Sequence, residues 1–185
     1  MIRSFRWLFS FGILVLASLS TYASFGDQID SHNNYFQASE SYFSHPENYV
    51  KINEIYPRPL SGQKEQIELY NPTAYSASLS QCALFDGANH LIDISSYSVP
   101  ANGFLVLTLN YSVLNNSGDM LFYVCHNKTQ DQVTWGNWDD GNLSDNAPNP
   151  SSGKSIGRYP DGKDTNVDKT DFSVMDLSMG SANHL

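Results

Sequence analysis

The chain is 185 residues long and carries 19 acidic against 10 basic residues, a formal net charge of −9 at pH 7. This length fits one domain with a tail and argues against two large domains. The negative charge repels a phosphate backbone and the basic residues are scattered, so we predict that nucleic acid is not a partner. Only 16% of the residues are charged while 13% are aromatic, which is typical of an ordered, β-rich extracellular domain.

The first 23 residues have the pattern of a secretory signal peptide. Arg3 and Arg6 precede an apolar run over residues 7–19, and Thr21-Tyr22-Ala23 has small residues at both positions that determine cleavage. The apolar run is shorter than the roughly 20 residues that a transmembrane helix needs. We therefore predict that residues 1–23 are removed, and that the mature protein is secreted or periplasmic and has no membrane span.

After the signal peptide, residues 24–48 show no regular period and predict a flexible polar leader. Beyond them, short alternating apolar segments separated by Pro, Gly and Asn turns predict a two-sheet antiparallel β-sandwich. The nearly continuous apolar run at 104–109 is expected in the interior. The predicted strands are 49–55, 66–70, 79–85, 90–94, 104–109, 118–125, 132–135 and 154–159, with the last of these closing the fold.

The chain has two cysteines, Cys82 and Cys125, and both lie in apolar, strand-like stretches. Oxidising surroundings favour a disulfide between them, although two separately buried thiols are the alternative. In the chain-entropy model, closing this loop stabilises the fold by about 4 kcal/mol. A metal site on these thiols is not expected, because the adjacent His126 would point to the opposite face of its strand.

Three segments carry a family resemblance: Lys51-Ile52-Asn53-Glu54-Ile55, Gln66-Ile67-Glu68-Leu69-Tyr70-Asn71-Pro72 and Leu79-Ser80-Gln81-Cys82-Ala83-Leu84-Phe85-Asp86. In this order they resemble a lamin tail domain, an immunoglobulin-like module also found in many exported bacterial proteins. Residues 99–103 resemble its proline and glycine corner, and residues 153–162 resemble its closing signature. The resemblance implies an all-β, immunoglobulin-like antiparallel β-sandwich over residues 49–183.

Two positions depart from the family pattern. Cys82 stands where the family often has an aromatic residue, and Ser178-Met179-Gly180 stands where a Pro-Gly turn is usual. The first departure favours a disulfide variant of the module. Family members serve as interaction modules with varied partners, so the resemblance implies a binding role and no particular activity.

Sequence motifs for catalysis are absent: there is no Gly-x-Ser-x-Gly, no His-Glu-x-x-His and no phosphate-binding glycine loop. We therefore predict that the protein is not an enzyme. A small secreted hydrolase is the least favoured alternative, and it would need a His beside a Ser or Asp in one cleft. Glu54 and Glu68 are expected to face solvent or a sheet edge. Arg158 is expected to pair with Asp161 or Asp171 and so to fix the last strand.

The acidic C-terminal region suggests a ligand. Asp164, Asn166 and Asp168 place oxygen donors at alternating positions, as calcium loops do. An EF-hand is excluded, because Lys169 and Met175 stand where that loop needs a glycine and a bidentate glutamate. A looser calcium site is therefore the cofactor hypothesis, and no other cofactor is predicted. In the alternative interpretation these side chains bond only their own turn backbones.

Trp135 and Trp138 flank Gly136-Asn137 and suggest a sugar-stacking platform or a protein-binding hot spot. In the alternative interpretation Trp135 belongs to the core and Trp138 covers a loop. Taken together, the sequence predicts a secreted, non-catalytic, lamin-tail-type module with one disulfide that binds protein or cell-envelope partners. A carbohydrate-binding module that uses the two tryptophans is the alternative function.

Overall fold

The computed structural model describes residues 45–185, so the predicted signal peptide and residues 24–44 of the predicted leader lie outside the described residues. Within this range the chain is all-β with antiparallel sheets, as predicted. No helix among the described residues has the length and apolarity needed to cross a membrane. The elements are a 3-10 helix Pro46–Tyr49, β1 Lys51–Tyr56, β2 Gln66–Asn71, β3 Ala77–Ser78, β4 Cys82–Asp86, β5 Leu91–Asp93, β6 Ser98–Val99, β7 Gly103–Thr108, β8 Gly118–Cys125, β9 Lys128–Gly136, β10 Ser155–Arg158, α1 Asp168–Asp171 and β11 Phe172–Met175.

The strands form two larger sheets and one short pair. The five-stranded sheet has the order β11-β10-β1-β2-β7, and the four-stranded sheet has the order β5-β4-β8-β9. Burial alternates along β4 and β8, as expected for strands with one face on a core. A single cluster of buried apolar side chains draws Ile52 and Ile67 from the first sheet and Leu84 and Leu121 from the second. Burial of each such side chain stabilises the fold by about 1.5 to 3 kcal/mol.

The structured region begins earlier than predicted. A compact unit starts at His45, four residues before the predicted domain start at Tyr49. Glu47 in the 3-10 helix is buried, and its backbone carbonyl accepts a hydrogen bond of 2.9 Å from the Tyr123 hydroxyl. Residues 45–48 therefore belong to the domain, although their polar composition resembles that of the leader.

Two strand predictions need correction. The apolar run at 104–109 was expected in the interior, but β7 lies at the edge of its sheet and most of it is only half-buried. Its outward-facing Phe104 packs against Tyr70 with ring centroids 4.9 Å apart, which explains why both faces of this strand are apolar. β10 was expected to close the fold, but β11 follows it and pairs with it in antiparallel fashion.

Candidate functional site

Arg158 is fully buried in β10 and is the centre of an ionic network. Its Nη2 donates to the two carboxylate oxygens of Asp131 at 2.9 and 3.2 Å, and its Nε donates to the Ile52 carbonyl at 2.9 Å. The Asp171 carboxylate lies 3.6 Å from Nη1, so the expected pairing with Asp171 is present. The shortest ion pair of Arg158, however, is the one with Asp131, which joins β10 of one sheet to β9 of the other. Asp161, the second expected partner, instead accepts hydrogen bonds from other groups.

Asp131 is held from two sides. Besides Arg158, the Ile52 backbone amide donates to its Oδ2 at 2.8 Å. Burial raises the pKa of Asp131, and the Arg158 charge and the Ile52 amide oppose that rise. Because both partners of this ion pair are also bonded to backbone groups of β1, the pair ties three strands together and has a structural role.

Glu54 and Glu68 are also buried, so the prediction that they face solvent or an edge is wrong. Glu54 accepts hydrogen bonds from the backbone amide and the hydroxyl of Ser178, the latter at 2.9 Å. Glu68 accepts from Asn53 Nδ2 at 2.9 Å and from the Gly180 amide at 2.5 Å. Burial raises the pKa of Glu68 to about 7, although both of these donors oppose the rise. The two carboxylates therefore hold the C-terminal segment over β1 and β2.

A cavity of about 410 Å³ runs along the outer edge of β9. Five of its lining residues are aspartates, and it contains all three of the predicted calcium ligands. We call this cavity the acidic groove. Its lining residues are Thr129, Gln130, Asp131, Gln132, Asp140, Asp145, Asp164, Asn166 and Asp168.

Three carboxylates of the acidic groove bond neutral donors. Asp140 Oδ2 accepts from the Thr134 hydroxyl at 2.9 Å, Asp168 Oδ2 accepts from the Thr134 amide at 2.8 Å, and Asp145 Oδ2 accepts from Asn142 Nδ2 at 2.7 Å. Burial raises the pKa of Asp168 to about 6, and the Asp131 and Asp145 charges add to the rise while the Thr134 amide and Arg158 oppose it. The groove therefore concentrates negative charge.

The calcium hypothesis concerns one wall of this groove. Asp164 Oδ2 lies 2.6 Å from Lys51 Nζ, and its Oδ1 lies 3.6 Å from Arg158 Nη1. Burial acts to raise the pKa of Asp164, but these two cations outweigh it and the pKa lies below its ordinary value. The Asn166 amide donates to Asp164 Oδ1 at 3.2 Å, a local turn bond of the kind given in the alternative interpretation. Calcium binding stays a prediction.

We expect Asp168→Asn to raise the thermal unfolding midpoint above pH 6 and to leave it unchanged near pH 3. Folding raises the Asp168 pKa from 3.8 to about 6, so the fold favours the protonated carboxyl. This contribution to the free energy of unfolding is fully present below pH 3.8 and is lost as pH rises through 6. Asparagine keeps an acceptor for the Thr134 amide and never ionises. Because the carboxyl is partly solvated, we expect a gain on the order of 1 kcal/mol at pH 8.

The same variant also tests the calcium hypothesis. If Asp168 binds calcium, the ion will raise the midpoint of the natural protein over its value in EDTA and will raise that of Asp168→Asn less. The pH prediction is contradicted if Asp168→Asn in EDTA is less stable than the natural protein at pH 8.

The two tryptophans do not form a surface pair. Trp135 is fully buried and belongs to the apolar core, so its ring presents no face to a ligand. Trp138 is half-buried beside Gly87, where a Cβ atom would lie 2.4 Å from its ring. The arrangement agrees with the alternative in which Trp135 is core and Trp138 covers a loop, and the stacking platform that needs both rings is not formed.

The predicted disulfide is confirmed. Cys82 in β4 and Cys125 in β8 lie directly opposite each other, and their sulfur atoms are 2.01 Å apart. The bond joins two neighbouring strands of the four-stranded sheet. His126 follows Cys125 immediately and begins the turn that leads into β9.

His45, Glu47 and His126 form a cluster that no sequence pattern indicated. Glu47 Oε1 lies 3.0 Å from His45 Nδ1 and 2.9 Å from His126 Nε2. Among the described residues, this is the one group of three His, Cys, Asp or Glu side chains whose candidate ligand atoms all lie within 4.8 Å of one another. The prediction placed His126 on a strand, pointing to the face opposite Cys125, whereas His126 lies in a turn with φ +51°. In the sequence, only His45 and Glu47 are close enough to suggest a pair of ligands, because His126 is 79 positions from Glu47.

Comparison of the chain with models of protein families, with curated proteins and with solved structures finds no match.

Proposed function

We propose that this protein is an exported, non-catalytic binding module of the lamin-tail type, and that its acidic groove receives an extended, lysine- or arginine-rich segment of a protein partner. The observation that carries this proposal is the position of the groove. It combines the outer edge of β9 at Gln132 with several carboxylates, and these are the two features that strand addition of a basic segment requires.

The immunoglobulin-like sandwich is supported by the common core of the two larger sheets. Two antiparallel sheets that share one apolar core need the layered packing of a sandwich. Three segments that resemble a lamin tail domain fall on β1, β2 and β4. Export is supported by the disulfide, because such bonds form and persist in oxidising compartments.

Near Trp135 the outer edge of β9 is already paired with Ala147, so the backbone groups available to a partner are those at Gln132. The Thr134 amide donates to Asp168, and its carbonyl accepts from the Ala147 amide, so both groups point away from β8. Residues two apart on a strand direct their backbone groups to the same side. The register with β8 is unbroken from Asp131 onward, so the amide and carbonyl of Gln132 also point away from β8 and into the groove.

The negative charge of the groove favours a cationic occupant. Asp140, Asp145 and Asp168 bond neutral donors, and the raised pKa of Asp168 reflects burial together with the carboxylates around it. A cationic side chain in the groove would neutralise this charge, and opposite charges also speed the encounter of two partners. Along an added strand, every second side chain faces the same way, so a segment with alternating Lys or Arg would place several cations against these carboxylates.

A non-catalytic role is supported by the bonding of the buried charged groups. Arg158 and Asp131 bond each other and the backbone of β1, while Glu54 and Glu68 bond the C-terminal segment. Each of these groups satisfies a structural partner, which accounts for its burial without a catalytic task.

The test uses a fluorescent ten-residue peptide of alternating Lys and Thr, with a peptide of alternating Glu and Thr as its counterpart. We expect saturable anisotropy for the Lys peptide that weakens as salt is raised. Asp140→Asn and Asp145→Asn should each weaken binding about threefold, because each removes one charge from the groove. Asp93→Asn is the matched control, since it removes an exposed carboxylate from β5 at the other edge of the sheet.

Strand addition is separated from simple charge attraction by a Lys peptide that is N-methylated at alternate residues on one edge. That peptide keeps its charge and loses the amides that would pair with β9, so it should bind more weakly. The proposal is wrong if the Lys peptide binds no better than the Glu peptide, or if Asp93→Asn weakens binding as much as Asp140→Asn does.

A further inference from the structure

We propose that His45, Glu47 and His126 form a binding site for a divalent transition-metal ion, with Zn²⁺ as the ion of choice. The site joins the 3-10 helix at the start of the described domain to the turn between β8 and β9. It is separate from the acidic groove and does not depend on the proposed function, because it shares no residue with the groove lining.

The positions of the three ligand atoms fit a metal. Glu47 Oε1 lies 3.0 Å from His45 Nδ1 and 2.9 Å from His126 Nε2. In a tetrahedral zinc site with bonds of about 2.0 to 2.1 Å, neighbouring ligand atoms are about 3.3 Å apart. Glu47 Oε1 therefore needs to separate from each nitrogen by only a few tenths of an ångström, and the two nitrogens lie within 4.8 Å of each other. Both imidazoles now approach one carboxylate oxygen through a ring nitrogen. A metal ion would take the place of the two protons in these contacts, and each proton would move to the other ring nitrogen or to solvent.

The backbone holds both sides of the site in place. Glu47 is fixed because its carbonyl accepts the Tyr123 hydroxyl at 2.9 Å within the core. His126 directly follows the disulfide-bonded Cys125, and it shares a two-residue turn with Asn127 in which both residues have positive φ, +51° and +60°. A ligand set on a rigid frame loses little conformational freedom when it binds an ion, so less affinity is lost to ordering.

The donors favour transition metals over calcium and magnesium. Two imidazole nitrogens and one carboxylate oxygen suit Zn²⁺, Ni²⁺ and Cu²⁺, whereas hard cations prefer sets of oxygens alone.

The site is open to solvent on one side. The His45 and His126 side chains are 51% and 37% exposed, while the Glu47 side chain is 10% exposed. An ion can thus reach the nitrogens without any rearrangement of the core. Three protein ligands leave a fourth position for water or for a ligand from a partner, which is the pattern of open zinc sites.

The test is a calorimetric titration of the purified full chain, without a polyhistidine tag, with Zn²⁺ and separately with Mg²⁺. We expect saturable binding of one Zn²⁺ per chain and none of Mg²⁺. His45→Gln and His126→Asn should each weaken zinc binding about tenfold or more, because replacing a ligand costs at least as much as replacing a group that supports one. Asparagine tolerates positive φ, so His126→Asn keeps the turn.

His184→Gln is the matched control, because it removes an exposed histidine near the C-terminus. It should bind zinc as the natural protein does, and so should the groove variant Asp140→Asn. Equal thermal midpoints of all variants in EDTA would show that the fold is retained. The proposal is overturned if the natural protein binds no zinc stoichiometrically, or if the double variant His45→Gln/His126→Asn binds zinc as tightly as the natural protein.

Discussion

Replacement of Arg158 by methionine is expected to lower the free energy of unfolding by about 3 to 5 kcal/mol. Methionine has a similar length but no charge, so it leaves the Asp131 carboxylate buried without its cation. It also leaves the Ile52 carbonyl without the donor that Arg158 Nε supplies at 2.9 Å. The measurement is urea unfolding of both proteins at neutral pH, followed by tryptophan fluorescence, because the transition reports the fully buried Trp135.

Two further variants make this prediction specific. Asp131→Leu in the Arg158→Met background removes both charges, so the double variant should lose less stability than the sum of the single variants. Lys154→Met breaks an ion pair with Asp176 that is largely exposed, and it should change stability little. If Arg158→Met unfolds at the same urea concentration as Lys154→Met, the Arg158 network does not have the structural role described above.

The double variant Cys82→Ala/Cys125→Ala is expected to lose about 4 kcal/mol of unfolding free energy. The two cysteines are 43 residues apart in sequence, so the bond greatly restricts the unfolded chain. The alanines also leave a small gap between β4 and β8, because both sulfur atoms are buried in the core. Urea unfolding under non-reducing conditions measures the difference.

Reductant provides the matching control for the disulfide. It should lower the thermal midpoint of the natural protein and leave that of the double alanine variant unchanged. Non-reducing peptide mapping of the natural protein should recover the peptides of Cys82 and Cys125 as one linked species. Two free thiols in the natural protein, or a double variant as stable as the natural protein, would contradict the prediction.

Local patterns predicted several strands. The β8 prediction, residues 118–125, has the observed bounds, because the continuous apolar and aromatic run from Met120 to Cys125 favours a strand. The neighbouring strands β4 and β5 were predicted as residues 79–85 and 90–94, and Asp86-Gly87 between them is a strong turn signal for their antiparallel pairing. The two-residue strands β3 and β6 escaped prediction because two residues are too few to show a period. β11 escaped because it lies within a turn-rich, acidic stretch.

The burial of Glu54 shows why an alternating pattern did not predict which side chains of β1 face inward. A register shift between Ile52 and Glu54 interrupts the pairing of β1 with β2, so the inward and outward positions do not alternate regularly. The face that carries Glu54 is covered by the C-terminal segment, whose Ser178 is 124 residues away in sequence. No local pattern could predict that a segment so distant would bury this carboxylate and supply its donors.

The candidate sites differ in how far the sequence alone could predict them. The disulfide followed from composition, because the chain has only two cysteines. The ion pair of Arg158 with Asp131 and the contact of Glu47 with His126 join residues 27 and 79 positions apart, and the sequence carries no signal that pairs them. The calcium hypothesis grouped Asp164, Asn166 and Asp168 by spacing, and all three do line one groove. The backbone edge of β9 beside them became visible only in the fold.

Backbone hydrogen exchange at Gln132 is a direct test of partner binding along β9. The Gln132 amide points away from β8 and is expected to exchange with solvent in the free protein. With saturating peptide of alternating Lys and Thr, exchange at Gln132 should slow, because the added strand pairs with this amide. Unchanged exchange at Gln132 while the peptide is bound would contradict strand addition at β9. The acidic groove would then attract cations by charge alone.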